Sequence, residues 1–466
     1  MSICALFEAQ RKAFAADPPS YERRIDALRA LEGAIVARQN DLAAAAAQDF
    51  GGRPAEETLA LELAPLINEI RHARRNLKRW MSPQRVGVGW QFWPASARIV
   101  YQPLGVVGIL SPWNYPFFLT LTPLVNVLAA GNHALVKPSE LAPASASVMA
   151  DIASAIFPPE YVSFVLGGAD VATQMTTLRL DHLVFTGSTR VGKLVMKAAS
   201  ENLVPVTLEL GGKSPAIVHA DYPIERAAER ILAGKLYNAG QTCVAPDYVL
   251  VPAALRDAFV EAARRIVPRM FPSEAGSRDY TRIINAHHYR RLAQLLDDAR
   301  SRGAGVTAFS FGVDGERFDE TTRMFPPTLL TGVRDDMAIM QEEIFGPLLP
   351  IVEYGSLGEA IAYVNARPHP LALYYFDDDR TRVNDVLEKT AAGGVTVNDC
   401  LFHVGQTGLP FGGVGPSGMG RYHGVHGFRT FSNTVGVLMQ RRWSPLAALR
   451  PPYTSRTRRL LRFLIR

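Results

Sequence analysis

The sequence predicts an α/β fold: a doubly wound parallel sheet followed by a second α/β unit. Three observations carry this. From about residue 105 onward, apolar runs of three to six residues alternate with segments of helical period, the pattern of βαβ units. Those runs are apolar throughout rather than alternating, as in strands covered on both faces. The 466 residues, 48% hydrophobic and 20% charged, suffice for a large core and do not fit a disordered or disulfide-stapled chain.

In chain order, residues 21–49 read as helix, because Ile25, Leu28, Leu31 and Ile35 recur at helical spacing and an alanine run follows. Gly51-Gly52 ends it. Residues 58–80 form a second helical region, and 83–101 switch to short aromatic-rich pieces that suggest extended ribbon. Residues 105–110 (GVVGIL) read as a buried strand, then 134–136 as strand, 144–156 as helix with Pro143 at its start, and 161–166 as strand. Residues 182–185 are strand, with Gly187 and a helix through Met196 after them. The theme restarts after Glu209: 214–218 strand, 224–237 helix, 248–251 strand.

Residues 99–136 contain no Asp, Glu, Lys or Arg, but four prolines and three asparagines interrupt them, so they read as soluble core rather than a membrane span. No basic, then apolar, leader opens the chain. The three cysteines, Cys4, Cys243 and Cys400, are too few and too widely spaced for a disulfide framework or zinc site, which fits a reducing, cytoplasmic compartment. The formal charge is +6, yet all ten charged residues after Asp399 are arginines and the rest of the chain is net acidic. Residues 455–466 would place Leu460, Leu461, Phe463, Leu464 and Ile465 on one helix face opposite most of the arginines, a basic amphipathic signature.

Cys243, in Gly240-Gln241-Thr242-Cys243, is a candidate nucleophile; the alternative is a small buried hydrophobe. Glu209 sits between two leucines, where burial would raise its pKa into a general base's range; the alternative is an ion pair with Lys213. Residues 185–192 (FTGSTRVG) leave a strand and open a helix, a place that suits phosphate. Their GxxxxG spacing is neither the dinucleotide fingerprint nor a Walker loop, and an ordinary strand–helix turn stays open. No metal site is expected: His423 and His426 lack further ligands, and His287-His288 read as a solvated helix face.

Taken together these residues resemble the aldehyde dehydrogenase superfamily. The motifs, in order, are Pro112-Trp113-Asn114-Tyr115-Pro116, Lys137-Pro138-Ser139-Glu140, FTGSTRVG, Leu208-Glu209-Leu210-Gly211-Gly212-Lys213, the Cys243 segment, Glu342-Glu343-Ile344-Phe345-Gly346-Pro347, and Pro410-Phe411-Gly412-Gly413 with Ser417-Gly418. Cys243 followed by Val-Ala-Pro-Asp-Tyr, Arg190 in place of glutamate, and Arg421-Tyr422-His423-Gly424 are similar to the class 3 branch and its bacterial coniferyl aldehyde dehydrogenase group.

The resemblance implies a Rossmann-like cofactor domain (1–82 and 102–208), an α/β catalytic domain (209–400), a bridging or oligomerisation element (83–101 and 401–440) and a basic tail (441–466). It implies Cys243 as nucleophile, Asn114 and the Cys243 N–H as oxyanion donors, and Glu209 as base. Lys137 and Glu140 would hold the adenosine ribose. Gly187, Ser188 and Gly192 would line the pyrophosphate, Glu343 would hold the nicotinamide ribose, and Phe345 would pack near the ring. Trp113, Ser139 and Thr186 complete the cofactor set. NAD is expected, with NADP usable because Lys137 neighbours Glu140. The substrate implied is an apolar aldehyde, coniferyl-like or medium- to long-chain, walled by aromatics such as Trp113, Tyr115, Phe117 and Phe402. A homodimer is expected and no nucleic acid; the tail is a candidate peripheral membrane contact. The competing functions are a CoA-acylating relative, which does not need Glu209, and a catalytically silent protein on the same fold.

Overall fold

A computed structural model of the chain describes residues 2–272, 278–310, 318–444, 446–447 and 450–465. Met1 and Arg466, the outer ends of the first domain and of the tail, lie outside the described residues.

Sixteen strands occur among the described residues. They are β1 (Gln84–Val86), β2 (Ser96–Pro103), β3 (Val106–Leu110), β4 (His133–Lys137), β5 (Val162–Phe164), β6 (His182–Gly187), β7 (Val206–Leu210) and β8 (Pro215–Val218). There follow β9 (Tyr248–Pro252), β10 (Gly305–Ala308), β11 (Thr328–Thr331), β12 (Leu348–Tyr354), β13 (Ala372–Phe376), β14 (Gly394–Val397), β15 (Gly418–Met419) and β16 (Ser432–Met439).

They form three sheets, ordered β15-β7-β6-β3-β4-β5, β10-β11-β12-β9-β8-β13-β14 and β1-β2-β16. The first is parallel from β7 to β5, with only the short β15 antiparallel at its edge. Its strand order reverses at β3, which pairs β4 on one side and β6 on the other. A ligand crevice in such a sheet opens outside the carboxyl ends of the strands at that switch point. The apolar runs are the strands because both faces are covered: every residue of β3 and β4 is buried.

The charge-free stretch contains β3 and the Phe118–Ala130 helix, all thirteen residues of which are buried, with Pro123 inside it. It is core. No helix among the described residues is long and apolar enough to cross a membrane.

The structure corrects several boundaries. The helix expected over 21–49 is two helices, Tyr21–Ala37 and Gln39–Phe50, broken at Arg38, whose side chain turns to Asp41 at 2.8 Å. The second carries the alanine run against the Pro143–Ile156 helix, where small side chains allow close packing. The second helical region begins earlier, at Ala55, and includes a π-helical turn at Leu59–Leu63 that points Glu62 into the core. The Ile3–Ala16 and Ala169–Thr176 helices have no counterpart in the sequence reading. The first is capped by Ser2 and anchored by buried Gln10, which donates to the Ala134 carbonyl at 2.8 Å.

The tail is helical from Ser455 to Leu464, but its apolar residues do not share one fate. Thr457, Leu460 and Leu464 turn toward the protein, whereas Leu461, Phe463 and Ile465 are exposed.

Candidate active site

The motifs converge at the carboxyl ends of the first sheet. Trp113 and Asn114 follow β3, Ser139 and Glu140 follow β4, with Lys137 closing that strand, and Thr186 and Gly187 end β6 with Ser188 after them. Glu209 is the penultimate residue of β7. A cleft of about 420 Å³ runs here, lined among others by Trp113, Asn114, Thr186, Gly187, Ser188, Glu209, Glu343, Phe345 and Cys243. Ser188 caps the Thr189–Ser200 helix, whose free N–H groups favour an anion.

Gly192 is placed differently from the expectation. It is buried on the helix, not on the cleft wall, and a Cβ there would meet Leu210 Cδ2 at 2.6 Å. It allows the helix to lie close on β7. Lys137, Ser139 and Glu140 also stand outside the cleft lining, one strand over. Lys137 Nζ donates to Glu140 Oε2 at 2.6 Å. Partial burial alone would raise the Glu140 pKa, but that bond and charge hold it below the usual carboxylate value.

Cys243 follows a turn in which Asn238 and Ala239 adopt the left-handed conformation, with φ of 53° and 51°. Buried Gln241 fixes the turn: its Nε2 donates to the Asn238 and Arg282 carbonyls at 2.9 and 3.0 Å, and its Oε1 accepts from Ile284 N–H at 2.9 Å. Tyr115 and Thr242 hydroxyls meet at 2.8 Å. Asn114 Nδ2 donates to the Gln241 carbonyl at 3.1 Å, which orients the amide and leaves its second N–H for another acceptor.

Beneath the Asn114 loop lies a buried ion pair, Arg53 Nη1 to Glu62 Oε1 at 3.0 Å, with both side chains fully excluded from solvent. Glu62 Oε2 accepts from Phe117 and Phe118 N–H at 2.8 and 3.1 Å, and Arg53 Nη1 donates to the Asn114 carbonyl at 3.3 Å.

Glu209 is buried, and among the described residues its carboxylate has no side-chain hydrogen-bond partner, with the Gly413 N–H alone close to it. Burial pushes its pKa well above the usual value; the nearby Arg421 guanidinium opposes this. The ion pair with Lys213 does not form. Lys213 pairs instead with Asp247 and donates to the Ile339 and Glu342 carbonyls at 2.7 and 3.0 Å. Asp247 in turn accepts from Ile344 N–H at 2.9 Å, and Arg291 Nη1 donates to the Glu343 carbonyl at 3.1 Å. These contacts pin the loop that carries Glu343 and Phe345, and Phe345 itself has a left-handed φ of 51°. Its ring lies edge-on to Trp113, with centroids 5.4 Å apart. Glu343 is raised to about 8 by burial first and by Asp247 second.

The Cys243 thiol is pushed up to about 12, by burial and then by Glu343 and Glu209. It lines a second cavity as well, an apolar funnel of about 260 Å³ that meets the cleft at Cys243 and Leu119 and is walled by Tyr115, Phe118, Tyr237, Phe402 and Phe411 among others. Tyr115 and Phe402 are thus wall residues as expected. Trp113 is not, since it belongs to the cleft, and Phe117 is not, since it is wholly buried in the core. Cys4 is exposed and Cys400 buried away from both cavities.

His288 also departs from expectation. His287 is exposed, but His288 lines the cleft with its ring 5.1 Å from that of Trp113, and burial lowers its pKa to about 4. Among the described residues no group of three or more His, Cys, Asp or Glu is arranged to hold a metal ion. Arg53, Glu62 and Arg291 had no sequence signal, because each meets its partner through the fold; Arg421 stands in the Arg421-Tyr422-His423-Gly424 motif, which gave it no role.

Comparison with known proteins follows this geometry. The aldehyde dehydrogenase family model matches residues 3–437. The chain is 50% identical over 458 residues to a probable coniferyl aldehyde dehydrogenase of Pseudomonas aeruginosa, covering 98% of this chain and 95% of the relative. It is 42% identical over 431 residues to a 4,4'-diaponeurosporen-aldehyde dehydrogenase of Staphylococcus aureus, covering 92% of each. Among solved structures, the substrate-bound state of Staphylococcus aureus AldH superposes with a TM-score of 0.93 at 40% identity, covering all of both chains. The NAD+ complex of a Bacillus cereus aldehyde dehydrogenase superposes with a TM-score of 0.84 at 27% identity, over 94% of this chain and 88% of the other.

Proposed function

This chain belongs to the aldehyde dehydrogenase family and is an aldehyde dehydrogenase, and from that premise we propose that it oxidises an apolar, coniferyl-like aldehyde to its carboxylic acid through Cys243 and Glu209. The observation that carries this reading is the position of Cys243, which lines both the polar cleft and the apolar funnel. The aldehyde enters by the funnel, whose aromatic walls suit a planar ring, and the cofactor lies in the cleft.

The cleft fits a dinucleotide on its own chemistry. It offers a helix N-terminus capped by Ser188, Gly187 on its lining, and Glu343, whose buried Oε1 has no partner among the described residues and is free to accept from a ribose hydroxyl. Glu140 and Lys137 hold the adenosine ribose. The carboxylate favours NAD+, and its lysine neighbour tolerates the extra charge of NADP+. Bound NAD(P)+ supplies the hydride acceptor.

The protein's own part begins with a thiol that burial keeps protonated. That proton passes to solvent, and the Cys243 Sγ thiolate attacks the carbonyl carbon. The alkoxide of the thiohemiacetal is held by the free Asn114 Nδ2 hydrogen and the Cys243 N–H. Loss of hydride leaves a thioester on Cys243. Glu209 accepts a proton from water as the water oxygen bonds to the acyl carbon. The C–S bond breaks, and the acid departs from a regenerated thiolate.

Steady-state NADH formation with benzaldehyde, coniferaldehyde, hexanal, decanal and hexadecanal tests this, each with and without CoA, with Cys243→Ala as the blank. Oxidation without CoA that the variant lacks is expected, with coniferaldehyde first in kcat/KM. Activity only with CoA would move the chain to the acylating reading and remove the hydrolytic role from Glu209. A ranking led by hexadecanal would move the substrate to fatty or isoprenoid aldehydes.

The three sheets support a division into a cofactor domain (1–82 and 102–208), a catalytic domain (209–400), a bridging element (83–101 and 401–440) and a tail (441–466), although β7 crosses the 208/209 boundary and β15 joins the first sheet. β16 is an edge strand with Leu438 and Met439 exposed, and a second copy of the chain covers it in a homodimer, testable by light scattering. The small number and wide spacing of the cysteines support a reducing, cytoplasmic location.

The fatty or isoprenoid reading rests on a separate observation. Exposed Trp90 packs edge-on to exposed Phe463, with centroids 6.5 Å apart, beside the arginines of the tail, an arrangement suited to anionic lipid. Equal co-sedimentation of full-length and tail-truncated protein with anionic vesicles would dismiss the lipid contact.

A further inference from the structure

Two glycine motifs at the end of the first sheet, Gly412-Gly413 and Ser417-Gly418, have no role in the chemistry above, and neither has Arg421. The structure joins all three to Glu209. β15 lies antiparallel on β7 with Gly418 opposite Glu209. The chain then turns through Gly420, so that the Arg421 side chain passes back over Gly412 and Gly413. Arg421 Nη1 donates to the Gly412 carbonyl and, at 3.0 Å, to the Gly413 carbonyl. Glu209 and Arg421 reach the same point in space: a Cβ on Gly412 would meet Glu209 Oε1 at 2.9 Å and Arg421 Nη1 at 3.1 Å. The carboxylate and the guanidinium are neighbours because position 412 has no side chain.

We propose that Arg421 is a positioning residue for the hydrolytic half-reaction: clamped on the Gly412 and Gly413 carbonyls, its guanidinium supplies the fixed positive charge that lets Glu209 ionise in a dry pocket and act as base on water. This deepens the proposed function and rests on Glu209 being the base.

The other charged and titratable groups about the pair do not substitute for that charge. Cys243 and Tyr422 face Glu209, and Glu343 faces Cys243 across the cleft; each is neutral or negative. Among the described neighbours, Lys213 is committed to Asp247. His426 is held below its usual pKa by burial first, then by Arg429 and Arg421. An opposite charge at such range lowers a carboxyl pKa by about 1–3 units. Its removal therefore leaves Glu209 protonated at neutral pH and ionised only at higher pH.

The test uses full-length Arg421→Met, Arg421→Lys and Glu209→Gln, with stopped-flow NADH formation and the pH profile of kcat. In R421M the first-turnover burst is retained while the steady rate at pH 7 falls about tenfold or more, and the rising limb of kcat moves up by about one unit or more. R421K, which keeps the charge, returns the limb toward its original position. E209Q shows the burst and loses turnover at every pH. The proposal is overturned if R421M leaves the limb in place, or if burst and steady rate fall together, which is what a merely structural arginine would give. If R421M does not fold, an R421K limb shifted as far as that of Arg421→Gln overturns it equally. If E209Q turns over normally, the base assignment itself has failed, a different result from an unmoved R421M beside an inactive E209Q.

Discussion

Replacing Glu62 by glutamine keeps the shape and the acceptor oxygen but removes the charge opposite Arg53. The two side chains are fully buried and 3.0 Å apart, so the variant strands a guanidinium in the core. Breaking a buried pair from one side costs about 3–5 kcal/mol, whereas neutralising both sides is often close to free. The double variant R53M/E62Q, which retains the acceptor for the Phe117 and Phe118 N–H groups, should therefore be more stable than E62Q alone, with a coupling of about 2 kcal/mol or more. A chain of this size is best followed by its unfolding rate. At 1.36 kcal/mol per factor of ten, E62Q should unfold about 10²–10⁴ times faster than the parent at a fixed temperature, and the double variant should recover most of that. Activity reports the same loop, because Arg53 also holds the Asn114 carbonyl at 3.3 Å. Displacing Asn114 by an ångström would lower kcat by up to about 10²-fold. Parent-like unfolding of E62Q, or a double variant worse than the sum of the singles, would refute this account of the loop.

The Cys243 thiol, pushed up to about 12, should react slowly with iodoacetamide at pH 7 in the cofactor-free enzyme and about tenfold faster per pH unit, with inactivation tracking Cys243 and not Cys4. Because burial raises Glu209, the base is available only as pH rises through its raised value, so the rising limb of kcat should lie above the ordinary carboxylate range; a limb near pH 4.5 would contradict the burial argument. Glu140→Thr removes the carboxylate from the Lys137 side chain and should raise kcat/KM with NADP+ relative to NAD+ by about tenfold or more; an unchanged ratio would place the discrimination elsewhere.

What the sequence made legible was what lies close along the chain. The strands β3, β4, β6 and β8 were read within a residue or two because uninterrupted apolar runs have no other soluble home. Cys243 and Glu209 are legible from their flanking residues, whereas Asn114 and Glu343 are legible only through the family resemblance of their motifs. Periodicity failed where tertiary contact decides the geometry. The break at Arg38 leaves the apolar spacing of residues 25–35 intact, and the π-helical turn at Leu59–Leu63 aims a glutamate inward from a segment that reads as an ordinary helix. The Ile3–Ala16 helix was missed because its anchor is a glutamine satisfied by carbonyls more than a hundred residues away.

The small residues around the site explain why motif and mechanism are hard to separate by sequence alone. A Cβ on Gly211 would strike the Glu343 carboxylate, one on Gly412 would enter the space shared by Glu209 and Arg421, and one on Gly240 would strike the Gly346 carbonyl. None of these glycines supplies a reacting atom. Each is the space that a functional group from another part of the chain occupies, so the glycine-rich character of the motif is a record of packing. The same reasoning divides residues 185–192: Gly187 lies on the cleft, and Gly192, five residues later, is there for Leu210. A glycine in such a motif therefore identifies the neighbour of a functional group, and only the fold says which group that is.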